Sequence, residues 1–169
     1  VNTGTTSLNT YTVGTGTTSC NSPFGSLQPV SHTQYLWKAS EITAAGMSAG
    51  NISGLQFYLQ TLGGSLRNLT IRMKTSPLDS LSQATYSDSV FTTVYSQNTQ
   101  FSNLGWNSLQ FITPFNWNGT SNLLVDITYD NIVSSSDNQI AATATSFNST
   151  ISNSGSDRVA SFHSAGYVN

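Results

Sequence analysis

The sequence predicts an all-β protein, an antiparallel β-sandwich of the jelly-roll type with about eight to ten short strands. Several segments alternate apolar and polar residues with a period of two, and clusters of Gly, Pro, Asn and Ser separate them. Almost no segment has a helical period. The chain of 169 residues is the right length for one domain with a substantial core. We therefore expect a single sandwich domain.

The first 19 residues are rich in Ser and Thr and form a candidate arm ahead of that domain. Tyr11 and Val13 give a short alternation, so the arm is predicted to be either flexible or an edge strand. Gly14 and Gly16 limit the length of such a strand. We accordingly divide the chain into an arm over residues 1–19 and a sandwich domain over residues 20–169.

Three segments in the first half of the domain have a strand pattern. Residues 32–42 are predicted to form a strand with Tyr35 and Trp37 on one face, followed by a turn or a single helical turn over 44–50. Residues 52–75 contain two stretches in which every second residue is apolar, so they predict two strands that each turn one face toward the core. The inward residues are Leu55, Phe57, Leu59, Leu69, Ile71 and Met73, and the outward ones are Arg72 and Lys74.

Residues 105–131, GWNSLQFITPFNWNGTSNLLVDITYDN, have the clearest pattern in the second half. Leu109 and Phe111 share one face, and Pro114 is expected to end the hydrogen-bonded ladder. Asn118-Gly119 is a tight-turn signal, so we interpret the stretch as two antiparallel core strands joined by that turn.

Only 7% of the residues are charged, and Ser, Thr and Asn together make up roughly two-fifths of the chain. A surface of hydroxyls and amides is typical of extracellular modules. The net charge of -2 and five basic residues argue against a nucleic-acid partner. No apolar run is long enough to span a membrane. The single cysteine, Cys20, excludes an intrachain disulfide, leaving a buried or semi-buried thiol or an intermolecular disulfide.

Three blocks carry a resemblance to a known class of proteins: KASEITAAGMSAGNISGLQFYL, LTIRMKT and the stretch 105–131. In this order they resemble a β-sandwich module, jelly-roll-like or immunoglobulin-like, of large proteins that Bacteroidota secrete through the type IX system. The resemblance covers about residues 34–162. It implies export to the cell surface and a supporting or adhesive role. It carries over no catalytic residues.

Enzymatic chemistry has little support in the residues themselves. His32 and His163, the two histidines, lie in no metal-binding motif, and no serine lies in a nucleophile elbow. A chain with one glutamate among seven acids is a poor candidate for paired catalytic carboxylates. We predict a protein that is not an enzyme and has no cofactor, unless a structural calcium is bound. Asp126, Asp130 and Asp137 are the candidate oxygen ligands for that ion.

Glycan binding is one hypothesis for function. Trp37 and Trp106 are predicted to fill the core, whereas Trp117 lies at a turn between Asn116 and Asn118 and is expected to be exposed. With Tyr129, these three residues form the predicted sugar-binding site.

Self-association is the other hypothesis. The arm could add a strand to the sheet of a second copy, with Leu8, Tyr11 and Val13 setting the register, and would then build filaments. Ser80 and Ser89 follow aspartates and precede apolar residues, which resembles the O-glycosylation motif of Bacteroidota. We predict an extracellular structural or adhesion module that self-assembles through its arm, with carbohydrate binding as the alternative. Its expected partners are other copies of itself or other surface proteins.

Overall fold

The computed structural model describes residues 9–82, 90–154 and 161–163, with 153–154 and 161–163 described by their backbone alone. These residues form ten strands and one short helix. In chain order the elements are β1 Thr18–Cys20, β2 Val30–Trp37, α1 Ala39–Ala44, β3 Gly50–Thr61, β4 Leu66–Ser76, β5 Thr92–Thr99, β6 Gly105–Trp117, β7 Asn122–Asp130, β8 Gln139–Ala142, β9 Thr150–Ser154 and β10 Ser161–His163.

The strands form two antiparallel sheets that pack face to face. The four-stranded sheet has the order β1-β8-β3-β6, and the six-stranded sheet has the order β10-β9-β2-β7-β4-β5. The chain crosses between the sheets at most of its connections, so neighbours in sequence are often partners across the core. The predicted all-β sandwich is confirmed.

The main core lies between the two sheets and contains the alternate residues that the sequence pattern selected. Phe57 and Leu59 of β3 and the inward residues of β4 are fully buried, and Leu55 packs against them. Phe24, which precedes β2, also lies in this core. Its ring lies 4.8 Å from that of Phe57 and 5.0 Å from that of Phe101. The period-two prediction for β3 and β4 is confirmed.

A second, smaller core covers the outer face of the six-stranded sheet. Leu36 and Leu124 project from that face and pack with Leu81 and Ile151, beneath the segments around Leu78 and Phe147. Strand β7 therefore buries both of its faces, which explains why its sequence is an almost continuous apolar run. The four-stranded sheet differs, because several of its outward side chains are exposed.

The interpretation of residues 105–131 as a hairpin is wrong. Strand β6 pairs with β3 in one sheet, whereas β7 pairs with β2 and β4 in the other. Asn118-Gly119 is indeed a turn, with Gly119 at φ +80°, but it carries the chain from one sheet to the other. Alternation reports which side chains face the core, and this property is shared by strands that pair and by strands that face each other across a sandwich.

Pro114 interrupts the ladder without ending the strand. Pairing with β3 stops after Gln110 and resumes at Phe115, with an irregularity opposite Ile52 and Gly54. Strand β6 is the edge of its sheet, where the missing N–H of proline is tolerated. The prediction that pairing stops at Pro114 is therefore correct locally and wrong for the strand as a whole.

Strand β2 ends earlier than the sequence predicts, and the helix begins earlier. The strand stops at Trp37, and α1 starts at Ala39. The Lys38 backbone N–H donates a hydrogen bond of 2.9 Å to the Glu41 carboxylate, and the Ala39 N–H donates to the Asn122 side chain. These bonds satisfy the free amide groups of the first turn, which explains why the helix starts here.

The described part of the arm, residues 9–19, packs on the sandwich from Val13 onward. Val13 packs on the main core, and the Gly16 N–H donates a hydrogen bond to the Thr143 hydroxyl. Strand β1 then pairs with β8 and spans the expected boundary at residue 19. The arm therefore passes into the sandwich without a break at that position.

Candidate functional site

An exposed aromatic pair lies on the outer face of the four-stranded sheet. Tyr58 of β3 and Trp106 of β6 are directly opposite each other in the ladder. Their ring centroids are 5.4 Å apart at 87°, an edge-to-face contact, yet the two residues remain 40% and 46% exposed. Gly105, at φ +88°, begins β6 immediately before Trp106. Two large rings are thus held in a fixed arrangement at the protein surface.

Polar side chains continue this surface along the two strands. Gln56 lies opposite Ser108, and Gly54 lies opposite Gln110, so the same outward face carries amides and a hydroxyl beside the rings. Within the part of the chain that the structure describes, the side chains of Gln56, Ser108 and Gln110 accept and donate no hydrogen bonds. We call this surface the β3–β6 face: Tyr58, Trp106, Gln56, Ser108 and Gln110.

The β3–β6 face belongs to a sheet without charge. The four strands of this sheet contain no Asp, Glu, Lys, Arg or His. Their sequences are TSC, QIAA, GNISGLQFYLQT and GWNSLQFITPFNW. In contrast, Arg67, Arg72 and Lys74 are on β4, and Asp126 and Asp130 are on β7 of the other sheet. No charged side chain therefore projects from the strands that carry the aromatic pair.

The predicted exposure of Trp117 is wrong. Its side chain is only 1% exposed, and its indole N–H donates a hydrogen bond of 2.8 Å to the Ser121 carbonyl. Trp117 is an even number of residues along the strand from Leu109 and Phe111, so it lies on the same face as they do. It therefore points into the core even though a turn follows it. A ring enclosed in this way has no free face for a sugar.

Tyr129 is likewise buried, being 2% exposed. Its hydroxyl donates a hydrogen bond to the Gly25 carbonyl, and burial raises its pKa to about 12. Asn116 and Asn118 are exposed, but Asn116 donates to Asn51, and the Asn118 side-chain oxygen accepts the N–H groups of its own turn. The four residues of the predicted sugar site therefore do not form a common exposed surface.

The expected core position is confirmed for Trp37, which is 6% exposed, and is wrong for Trp106. A sequence signal for the exposed pair did exist. Tyr58 has the opposite parity to Phe57 and Leu59, and Trp106 the opposite parity to Leu109, so both aromatics belong to outward faces. Alternation along the strand predicted which aromatic side chains are exposed better than nearness to a turn did.

Asp126 is the centre of a buried ionic cluster on the six-stranded sheet. It is fully buried, and its Oδ1 accepts hydrogen bonds of 2.8 Å from the Arg72 guanidinium. Its Oδ2 accepts a bond of 2.8 Å from Gln34 and contacts Nε2 of His32. Burial opposes its ionisation, but the bonds from His32, Gln34 and Arg72 and the charge of His32 outweigh that effect and lower the pKa of Asp126.

The three candidate calcium ligands have different partners. Asp126 is held in the buried cluster, whereas Asp130 accepts a bond from Asn68 and faces Arg67. Asp137 accepts bonds from Asn21 and from the Leu27 N–H. Over residues 9–82 and 90–154, no group of three potential ligand side chains is arranged to hold a metal ion. The expectation that these three aspartates form one site is therefore not supported.

The remaining predicted positions are scattered. Ser80 is exposed, and its hydroxyl accepts a bond from the Asn148 N–H, while Ser89 and Leu8 lie outside the described residues. Tyr11 is 39% exposed near Gly46, and Val13 is half-buried on the core. Cys20 is half-buried, which agrees with the first of the two alternatives given for this residue, a buried or semi-buried thiol.

Comparison with known proteins gives no relative: no family model, curated protein or solved structure matches the chain significantly. Among the described residues, no helix has the length and apolar character needed to cross a membrane.

Proposed function

We propose that the protein is an extracellular carbohydrate-binding module, without enzymatic activity of its own, that binds neutral glycans on the β3–β6 face. The observation that carries this proposal is the exposed Tyr58–Trp106 pair in a row of unengaged amide and hydroxyl groups. This choice favours the alternative function from the sequence, but with a different tryptophan at its centre.

The chemistry of the face matches the two sides of a sugar ring. A pyranose presents an apolar C–H surface and a rim of hydroxyls. Aromatic rings pack well against apolar surfaces, and an indole or phenol also offers a polar group at its edge. Glutamine provides two donors and an acceptor, and serine provides one donor and an acceptor. Gln56, Ser108 and Gln110 thus offer hydrogen bonds next to rings that offer stacking.

The length of the row favours an oligosaccharide over a single sugar. From Trp106 to Gln110 the strand rises roughly 13 Å, at about 3.3 Å per residue. This distance exceeds one pyranose ring, so a ligand that stacks on Trp106 would extend along β6 toward Gln110.

The absence of charged side chains from this sheet argues for a neutral ligand. A uronic acid or a sulfated glycan would be desolvated on the face without a cation to compensate its charge. A neutral glycan does not incur that cost. A surface role, as the resemblance implies, is compatible with such a ligand, because glycans cover cells and the material around them.

A glycan array with neutral and acidic glycans tests the proposal. We expect the parent protein to be retained on a subset of neutral glycans and Trp106→Ala to lose that retention. Tyr11→Ala, which removes an exposed aromatic that does not belong to the β3–β6 face, serves as the matched control. Retention of Trp106→Ala equal to that of the parent, or retention only on acidic glycans, would sink the proposal.

A further inference from the structure

A cleft of about 270 Å³ opens between β5 and β6, where the edges of the two sheets approach each other. It lies on the free side of β6, and β3 lies on the other side. Ser108 belongs both to its lining and to the β3–β6 face. A ligand could therefore pass from the aromatic pair over one strand into this cleft.

The surface of the cleft is mainly polar, and two nearly buried apolar residues close its base. Phe101 and Leu109, which are 5% and 4% exposed, are part of the lining and belong to the main core. Three exposed amide side chains, Gln97, Asn98 and Gln100, lie around them. All of the lining residues are uncharged. Uncharged amides around the opening can bind the hydroxyls of a neutral sugar by hydrogen bonds.

Several of these groups are already fixed in place. Gln97 donates a hydrogen bond of 2.6 Å to the Tyr95 hydroxyl, which also lies 2.7 Å from the Thr99 hydroxyl. Asn107 donates to the carbonyls of Asn103 and Gly105, so its side-chain oxygen is oriented. In contrast, the side chain of Gln100 has no hydrogen-bond partner among the described residues. Oriented groups lose little entropy when a ligand binds.

We infer that this cleft is a second subsite, which binds the terminal residue of the same neutral oligosaccharide that stacks on Tyr58 and Trp106. The inference rests on the proposed function of the β3–β6 face. It adds that the ligand spans β6, and that affinity rises with chain length until both subsites are occupied.

The experiment compares short and long ligands on the purified protein. Calorimetric titrations use the disaccharides and the hexasaccharides of β-linked glucose, mannose and xylose. For the sugar that binds, we expect Gln97→Ala/Gln100→Ala to weaken hexasaccharide binding about ten-fold, as expected when one or two good hydrogen bonds are lost, and to leave disaccharide binding unchanged. Trp106→Ala should weaken the binding of both. Gln28→Ala, an exposed glutamine on a loop outside both subsites, is the control.

The outcomes separate the two proposals. Parental affinity of Gln97→Ala/Gln100→Ala for every hexasaccharide overturns the cleft subsite and leaves the β3–β6 face standing. Equal weakening of disaccharide and hexasaccharide binding also overturns it, because the cleft would then belong to the primary site. Side-chain amide signals of Asn107 and Gln100 in NMR spectra provide a second measurement. If they do not shift in the parent while the Trp106 indole signal does, the cleft stays empty. If neither shifts with any of these sugars and the array retains the parent on no neutral glycan, both proposals are wrong.

Discussion

Trp106 and Trp117 lie on the same edge strand but on opposite faces of it: Trp106 is 46% exposed, and Trp117 is 1% exposed. This relationship separates the residue of the proposed binding site from a residue of the core. The outward tryptophan has a free ring and contacts Tyr58, whereas the inward one is part of the main core and donates a hydrogen bond to Ser121.

Replacing the two tryptophans should therefore have opposite consequences. We expect Trp117→Ala to lower the free energy of unfolding by about 3–5 kcal/mol, because it leaves a large cavity. Trp106→Ala should lower it by less than about 1 kcal/mol. Urea unfolding followed by fluorescence checks both values. Equal losses of stability would mean that the outward tryptophan also supports the fold.

The ion pair between Arg72 and Asp126 should contribute far more than the one between Arg67 and Asp130. Arg72→Met removes a partner of a fully buried carboxylate and is expected to cost about 3 kcal/mol. Arg67→Met changes an exposed pair with a separation of 3.5 Å and should cost under about 1 kcal/mol. Chemical denaturation of the two variants tests the difference. The double variant Arg72→Met/Asp126→Leu should recover part of the loss, and full additivity would contradict the pairing.

Acid should destabilise the protein through Asp126. The pKa of Asp126 in the folded state is lower than its ordinary value of 3.8. The ionised carboxylate therefore stabilises the folded protein fully at pH values above 3.8. That contribution is lost as the pH falls from about 3.8 through the lower pKa of the folded state. Unfolding measured between about pH 6 and pH 2 should show a smaller acid-induced loss for Asp126→Asn than for the parent. Asp79→Asn, which removes an exposed carboxylate, is the matched control.

Within the described part of the arm, residues 9–19, truncation should affect stability beyond residue 12. Residues 9–12 are exposed, whereas Val13 packs on the core and Thr18–Cys20 pair with β8. Deletion of residues 1–12 should leave the melting temperature close to that of the parent, and deletion of residues 1–19 should lower it. Self-association by strand donation remains a prediction, and the shorter deletion tests it in negative-stain images. Filaments that persist without residues 1–12 would contradict a role for Leu8 and Tyr11.

The thiol of Cys20 should react slowly. Burial raises its pKa above the ordinary value of 9.0, and the Ser22 backbone offsets only part of that effect. Since the thiolate is the nucleophile, alkylation by iodoacetamide at neutral pH should be about ten-fold or more slower than that of an unhindered thiol. Mass spectrometry of labelled protein follows the rate. A rate equal to that of the urea-unfolded chain would show that the thiol is accessible.

The sequence pattern predicted most of the elements but misplaced three aromatic side chains, Trp106, Trp117 and Tyr129. Leu55, Phe57 and Leu59 on β3 and Leu69, Ile71 and Met73 on β4 were recognised as inward because strand periodicity is local. Trp117 was expected to be exposed because it lies at a turn between two asparagines, and its position in the strand alternation was given less weight. Tyr129 was assigned to the sugar site although it shares the inward face of Val125 and Ile127. Applied strictly, the same rule identifies Tyr58 and Trp106 as outward.

Other features had no local signal. The partners of Asp126 come from β2 and β4, which flank β7 only after the sheet has formed. The cleft likewise depends on the approach of two edges from different sheets, β5 and β6. Long-range pairing decides such contacts, and alternation within one strand carries no information about its neighbours.

The sequence by itself thus determined that the chain is an all-β sandwich and which side chains of β3 and β4 face its core, because a strand exposes its two faces alternately. The tertiary structure alone decided which outward faces meet solvent. Leu36 and Leu124 also point away from the main core, yet they are buried beneath the segments around Leu78 and Phe147. Tyr58 and Trp106 remain exposed. Packing of distant segments made that difference, and it placed the candidate site on the uncharged sheet.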